Sequence, residues 1–440
     1  MSDKSKITGP VYDARELDAP KTLVLGIQHM FAMFGSTVLV PQLTGLSVSA
    51  TLLFAGLGTL LFHMISKRKV PAFLGSSFAF LAGYFAIAPH GEKNLLPYAC
   101  LGVACSSAFY FVLAALIKIF GVKKVMKFFP PVVTGPIIIS IGLTLSQSAI
   151  NSCSTNWIIA LVAIVVIVVL NIWGRGMVKI LPILLAACAS YIVAACMGKV
   201  DFSAIKNAAW IGLPVKYEDT VFSIFKNPDT SLILTSIITI MPIAIATMME
   251  HIGDIAAISS TVGKNFMDEP GLHRTLTGDG LATLAASLFG APANTTYGEN
   301  TGVLQLSRVF DPFVIRVAAC FAILFSFSPK FAALISCMPA ATVGGISIVL
   351  YGMISAVGVR NMVESKVDFK ESRNVIIAAL ILVLSIGIKF SAAGAINIHC
   401  GSITIGLSGL AMASLVGIVL NAVLPARSDP GETSIKKDME

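Results

Sequence analysis

Apolar runs recur along this chain at the length a membrane span requires. Crossing about 30 Å of hydrocarbon as a helix takes roughly 20 residues. Such runs lie near 21–41, 50–65, 71–89, 96–119, 125–147, 156–173, 178–198, 231–261, 274–290, 294–308, 312–329, 335–355, 373–392 and 403–424. They predict an all-α polytopic membrane protein with about fourteen transmembrane segments. The longest polar connection, 199–230, leaves seven segments on either side. An odd number of crossings per half makes the second half enter from the opposite face, which is the geometry of an inverted repeat.

The third segment of each half breaks the apolar pattern. The first reads VPAFLGSSFAFLAG (70–83) and the second GAPANTTYGENTG (290–302). Both are short, carry Pro near the start, and place Gly and hydroxyl residues where a span is normally plain. Segments 3 and 10 are therefore expected to be interrupted by short extended stretches. Interrupted segments at matching positions point to a transporter's substrate site.

Composition removes the soluble alternatives. With 56% hydrophobic and 12% charged residues and a mean hydropathy of +0.85, the bilayer is the natural solvent. The formal charge of +8 then reads as cytoplasmic loop charge rather than a nucleic-acid surface. With both termini cytoplasmic, 24 of the 31 Lys and Arg fall on the cytoplasmic side, as the positive-inside rule requires. The first twenty residues are polar and mixed in charge, so the first apolar run is expected to stay as a span in a cell membrane. The eight cysteines form no CxxC pair and mostly sit in apolar runs. No disulfide framework, structural metal or cofactor is expected. No nucleophile–base pair or phosphate loop supports an enzyme.

Ionisable residues within spans are costly, about 3 kcal/mol at mid-membrane on insertion scales, and so mark function. Three acids stand out. Glu250 and Asp254 lie four residues apart in MMEHIGD and share a helix face. Glu299 sits between Gly298 and Asn300 in the second interrupted segment. His251 is turned to a different face and reads as a packing or hydrogen-bonded histidine. Gln28 and His29, inside the first span, need buried partners and serve either to support the site or to join two helices.

A nucleobase would suit such a site. A pyrimidinedione presents ring N–H donors, which carboxylates accept, and carbonyl acceptors, which helix N-terminal amides address. The stretches around Ser77–Phe78 and Gly298–Glu299 are suited to this. Phe78 or Tyr297 is placed to stack on the ring, and Gly298 permits close backbone approach. Burial favours a protonated carboxyl and a helix N-terminus favours the anion, so a carboxyl subject to both suits proton coupling.

The motifs resemble those of the nucleobase–ascorbate transporter family, especially its bacterial uracil permeases, over nearly the whole chain. The family signature is matched by Glu299, Asn300, Thr301 and Gly302, then VLQL, then Ser307 and Arg308. Gln28–His29, GSSFAF (75–80), the Glu250–His251 pair and DEPGLHR (268–274) match as well. The resemblance implies a core domain of segments 1–4 and 8–11 (20–120 and 231–330) and a gate domain of segments 5–7 and 12–14 (121–198 and 331–425). It implies substrate contacts at Phe78, Glu250, Tyr297, Gly298 and Glu299, with Tyr351 approaching from the gate side. It further implies a homodimer and proton-coupled import of a nucleobase, uracil foremost. Asp254 stands where uracil permeases carry His and where purine-transporting relatives carry an acid, so a xanthine or purine substrate stays open. Ser307 replaces the signature Thr and keeps its hydroxyl. An anion permease on the same fold is the remaining alternative, and paired carboxylates oppose it.

Overall fold

Most of the apolar runs form helix, while the two runs that carry Gly, Pro and hydroxyl residues, and the start of the last run, also contain strand. The computed structural model describes residues 9–175, 178, 181–400 and 403–425, apart from the side chains of 34, 36, 299, 397–400 and 403–405. α1 (Ala19–Ala32) and α2 (Phe34–Thr44) form one near-continuous run, and α3 (Val48–Ile65) follows behind a Ser47 cap. β1 (Leu74–Ser76) and the short α4 (Leu81–Ile87) fill the first interrupted segment. α5 (Leu96–Phe120), α6 (Pro131–Ser154), α7 (Trp157–Trp173) and α8 (Pro182–Cys196) complete the first half. The connection that follows holds only short helical turns.

The second half opens with α9 (Thr230–Ile240) and α10 (Ala244–Val262), joined through a 3-10 turn around Pro242. α11 (Leu272–Leu288), β2 (Asn294–Thr296) and α12 (Gly298–Ser307) come next. α13 (Pro312–Ser326) and α14 (Pro329–Ser336) meet at a bend of 89°. α15 (Ala340–Glu364), α16 (Ser372–Lys389), a hairpin of β3 (Ala395–Cys400) and β4 (Ile403–Ser408), and α17 (Gly409–Val423) end the described chain. Among the described residues, 7 helical runs are long and apolar enough to cross a membrane, or 8 if the bent pair is one span.

Three boundaries differ from the expected ones. α6 starts at Pro131 rather than 125, because Pro130 and Pro131 favour a helix start there. α15 continues to Glu364 rather than 355, since its polar last turns remain helical beyond the apolar run. The final segment, expected from 403, begins as helix only at Gly409. Residues 395–400 and 403–408 pair as β3 and β4 instead. The run INIHCGSITIGLS is apolar but rich in β-branched residues, and hydropathy alone does not separate strand from helix.

Two sets of helices pack chiefly within themselves. α3 lies against α11 and α13, α5 against α9 and α11, and α1 against α13. Separately, α15 packs along α6 and α7, α8 on α7, and α16 on α6 and α17. Small residues let α6 and α15 come close: a Cβ on Gly358 would stand 2.6 Å from the Gly135 carbonyl oxygen. Polar side chains join this second set as well. Asn361 Nδ2 donates to Thr134 Oγ1 at 3.1 Å, Ser355 Oγ donates to the Ile139 carbonyl at 3.0 Å, and the hydroxyls of Ser140 and Ser385 lie 2.6 Å apart.

Non-helical backbone in a bilayer must find its hydrogen bonds within the protein. β1 and β2 supply them to each other, antiparallel, with Leu74 opposite Thr296, Gly75 opposite Thr295 and Ser76 opposite Asn294. The pair extends through Ser77 N–H to the Ala293 carbonyl (2.9 Å) and Tyr297 N–H to the Phe73 carbonyl (3.2 Å). Neighbouring helices secure the ends. Asn294 Nδ2 donates to the Phe54 carbonyl at 2.8 Å, and Thr283 Oγ1 to the Asn294 carbonyl at 2.6 Å. Thr59 Oγ1 accepts from Leu74 N–H at 2.9 Å while donating to the Ala55 carbonyl at 2.7 Å. Thr59→Val keeps the shape and orphans the buried Leu74 amide, so it is expected to destabilise the fold by about 1–3 kcal/mol. Thermal unfolding of the purified protein checks this, with Thr59→Ser as the near-neutral comparison.

Candidate functional site

The paired breaks turn two chain directions into one polar centre. At its edge, Tyr297 is extended and α12 begins at Gly298. The amides of the first helical turn, Gly298 through Asn300, have no partner within their own helix and carry its positive dipole end. Tyr297 Oη donates to the Ser76 carbonyl at 2.6 Å, which ties the start of α12 back to β1. The Tyr297 ring lies over Gly75, where any Cβ would collide with it. Gly75 is thus required by close approach.

Asp254 faces the opening of α12. Its Oδ1 lies 3.2 Å from the place a Cβ on Gly298 would take. Its Oδ2 accepts from Thr296 Oγ1 at 3.1 Å. Thr296 Oγ1 is also 3.3 Å from His251 Nδ1, and that nitrogen lies 3.3 Å from Asp279 Oδ2 on α11. A continuous polar chain thus runs Asp254, Thr296, His251, Asp279 across α10, β2 and α11. It is closed to water: Asp279, His251 and Thr296 are buried and Asp254 is 8% exposed. Phe62 meets the His251 ring edge-on at 6.3 Å. One turn before His251 on α10, Thr247 Oγ1 accepts from Tyr110 Oη at 2.6 Å.

The remaining expected residues gather around this chain or beside it. Phe78 follows β1, is buried, and meets Tyr351 of α15 edge-to-face at 5.5 Å. That contact joins the two sets of helices. Glu250 is half-buried, one turn before Asp254. Gln28 and His29 are buried in α1, and α1 packs on α12. Neither ring nitrogen of His29 has a hydrogen-bond partner among the described residues, nor do Ser76 Oγ, Ser77 Oγ or either amide atom of Asn300. Buried polar atoms of this kind ordinarily have partners. The Glu299 backbone occupies the first turn of α12, while its side chain lies outside the described residues.

His251 is hydrogen-bonded within the chain, one of the two roles expected of it, whereas Thr296 and Asp279 were not singled out by the sequence. Asp279 was legible as a lone acid in LHRTLTGDGLATLAASL, in a segment predicted to span. Its helix is less apolar than its neighbours, so the acid did not stand out there. Among the described residues, no group of three or more His, Cys, Asp and Glu side chains is arranged to hold a metal ion.

Residues 20–394 match the Permease family, Xan_ur_permease. The chain belongs to this family. It is 38% identical to the uracil permease of Bacillus subtilis (strain 168) over 96% of this chain and 97% of that one. It is 37% identical to the uracil permease of Escherichia coli (strain K12) over 92% and 91%. The resemblance carried by the sequence motifs therefore holds. Among solved structures, the transmembrane domain of the cyanobacterial bicarbonate transporter BicA superposes with a TM-score of 0.61 at 14% identity, covering 94% of this chain and 100% of that one. Murine Slc26a9 in its inward-facing state does so at 0.61 and 11%, covering 96% and 69%. These two likenesses concern the fold. A permease with several membrane-spanning helices is a multi-pass membrane protein, and membership in a transporter family places the chain among carriers rather than enzymes.

Within this permease, Gly298 borders the Asp254 carboxylate, whose Oδ1 a Cβ at this position would approach to 3.2 Å. Gly298→Val would press on the Asp254 carboxylate and on whatever approaches the α12 amides. We expect transport to fall at least tenfold with unchanged melting temperature, and initial-rate uptake with a thermal scan checks both.

Proposed function

We propose that this permease is a proton-coupled symporter that imports a nucleobase, uracil first, across the cell membrane. One juxtaposition carries the reading: Asp254 and the amide-rich start of α12 face each other beside the paired breaks. A carboxylate accepts the ring N–H groups of a pyrimidinedione, and helix-start amides donate to its carbonyls. The uracil permease relatives support the substrate class. In this reading Glu250 and Glu299 hold the ring edge, Phe78 and Tyr297 border its face, and Gly298 lets it approach. Ser77, Asn300, Gln28 and His29 complete the polar surround.

The packing of the helices supports a division into two domains. The first helix set corresponds to a core (20–120 and 231–330) and the second to a gate (121–198 and 331–425). If the two half-spans built on β1–α4 and β2–α12 are counted, the element order supports fourteen segments in a seven-plus-seven inverted repeat. Transport then proceeds by alternating access, the core moving against the gate at the Phe78–Tyr351 contact. Both termini are cytoplasmic in this arrangement, and two copies associate through their gates.

Asp254 keeps a second substrate in view, since a purine carrier of the same family has an acid there. Two carboxylates near one site speak against an anion substrate on this fold. Uptake of labelled uracil and xanthine into proteoliposomes, with and without an inward proton gradient, tests the proposal. Uracil accumulation driven by the gradient is expected. Xanthine outcompeting uracil overturns the substrate, and gradient-independent accumulation overturns the coupling.

A further inference from the structure

At one rim of the bundle the end of α3, the end of α5 and the start of α11 meet. Arg274 Nη1 donates to the Ile65 carbonyl at 3.5 Å, which closes the last turn of α3. Lys67, Lys118 and Arg274 all crowd His273. Lys67 and Lys118 are exposed, and none of the three cations forms a salt bridge among the described residues, although the Lys67 charge also acts on Glu269 beside Lys69. The acids nearby in the chain are already engaged. Lys69 pairs with Glu269 and holds its carboxyl below the usual range through their hydrogen bond. Asp268 accepts from Asn265 Nδ2 at 2.6 Å. Like charges held together repel, so this cluster favours an anion from outside the chain.

The adjoining surface is apolar. Met64 on α3 and Leu116, Ile119 and Phe120 on α5 are exposed large hydrophobic residues within a few positions of these cations. In a membrane-spanning protein such a face meets acyl chains. A cation cluster at the polar end of an apolar strip fits one amphiphile better than a soluble ion.

We propose that this rim is a binding site for an anionic phospholipid, with the headgroup phosphate among Lys67, Lys118 and Arg274 and the acyl chains against Met64 and the exposed strip of α5. A zwitterionic lipid brings its own ammonium to the same cations and is disfavoured. Inorganic phosphate satisfies the cations and leaves the strip unused.

The test is the melting temperature of the purified full-length protein in detergent, titrated with phosphatidylglycerol, phosphatidylcholine or inorganic phosphate. Phosphatidylglycerol is expected to raise it and the other two are not. At about fivefold per cation, the K67Q/K118Q double variant should need roughly 25-fold more phosphatidylglycerol for the same shift. Arg274 is left in place because it caps α3. The K366Q/K370Q variant removes equal charge from another exposed loop and should respond like the unmodified protein. An unchanged response in K67Q/K118Q, equal stabilisation by phosphatidylcholine, or a full shift with phosphate alone each overturns the proposal. Native mass spectrometry of single variants K67Q and K118Q, counting retained phosphatidylglycerol, decides the matter if the double variant does not fold.

Discussion

Asp279→Asn is expected to reduce uracil uptake at least a hundredfold. Asp279 is buried, and its Oδ2 lies 3.3 Å from His251 Nδ1. Leaving a buried polar group without its partner costs about 1–3 kcal/mol, and more where the group is charged. The loss should not stay local. His251 Nδ1 is also 3.3 Å from Thr296 Oγ1, which donates to Asp254. With Asn at 279, the imidazole loses the group that fixes its orientation, and the hydroxyl loses its reason to point at Asp254. Asp279 is in this sense a positioning residue, acting through His251 and Thr296. The measurement is initial-rate uptake across pH, beside a thermal scan. A folded variant with a displaced pH profile is the expected outcome, and His251→Asn added to Asp279→Asn should cost little more, since residues in one network are not additive. Normal uptake in a folded Asp279→Asn protein would remove the chain from the mechanism.

That chain shows what the sequence conveys and what it does not. The interrupted segments were legible because Pro, Gly and hydroxyl residues cannot be explained by lipid contact. Glu250 and Asp254 were legible because an acid pair at helical spacing must share a polar face. Tyr351 was placed by the family pattern, and its ring meets that of Phe78. Asp279 is 25 residues from Asp254, and the link between them passes through a third element. Nothing local in LTGDGLATL announces a partner on α10. The β3–β4 hairpin was hidden for a different reason, since apolar β-branched residues satisfy strand and span alike.

The amino-terminal stretch is polar in composition, yet its described residues dock on the bundle. Val11, Ala14 and Leu17 are buried against Leu25, Val309 and Val314. Val11 N–H donates to the Arg308 carbonyl and Phe310 N–H to the Val11 carbonyl, both at 2.8 Å. Tyr12 Oη reaches the Val262 carbonyl at 2.9 Å. The far ends of α10 and α12 are thus tied by one short strap, at the opposite end of α12 from Gly298. Average composition over twenty residues concealed three apolar anchors at i, i+3 and i+6.

Glu299→Gln tests the ligand side of the same reading. Position 299 is in the first turn of α12, where the helix dipole favours an anion. Gln keeps the size and one acceptor and removes the charge. Hydrogen bonds to a charged group contribute about 1.5–3 kcal/mol against about 0.5–1.5 for neutral ones. The difference, about 1–2 kcal/mol, corresponds to a rise of roughly five- to thirtyfold in the KM for uracil. If Glu299 carries the coupled proton, the variant also loses gradient-driven accumulation while still equilibrating uracil across the membrane. The family pattern adds a selectivity outcome, since xanthine and urate carriers resemble each other in having Gln at this position. Competition by xanthine should therefore increase relative to the unmodified protein. Counterflow of labelled uracil, which needs no proton gradient, separates binding from coupling. Retained counterflow with lost accumulation assigns the proton to Glu299. Loss of both assigns the residue to binding, and retention of both returns the proton to Asp254 and its chain.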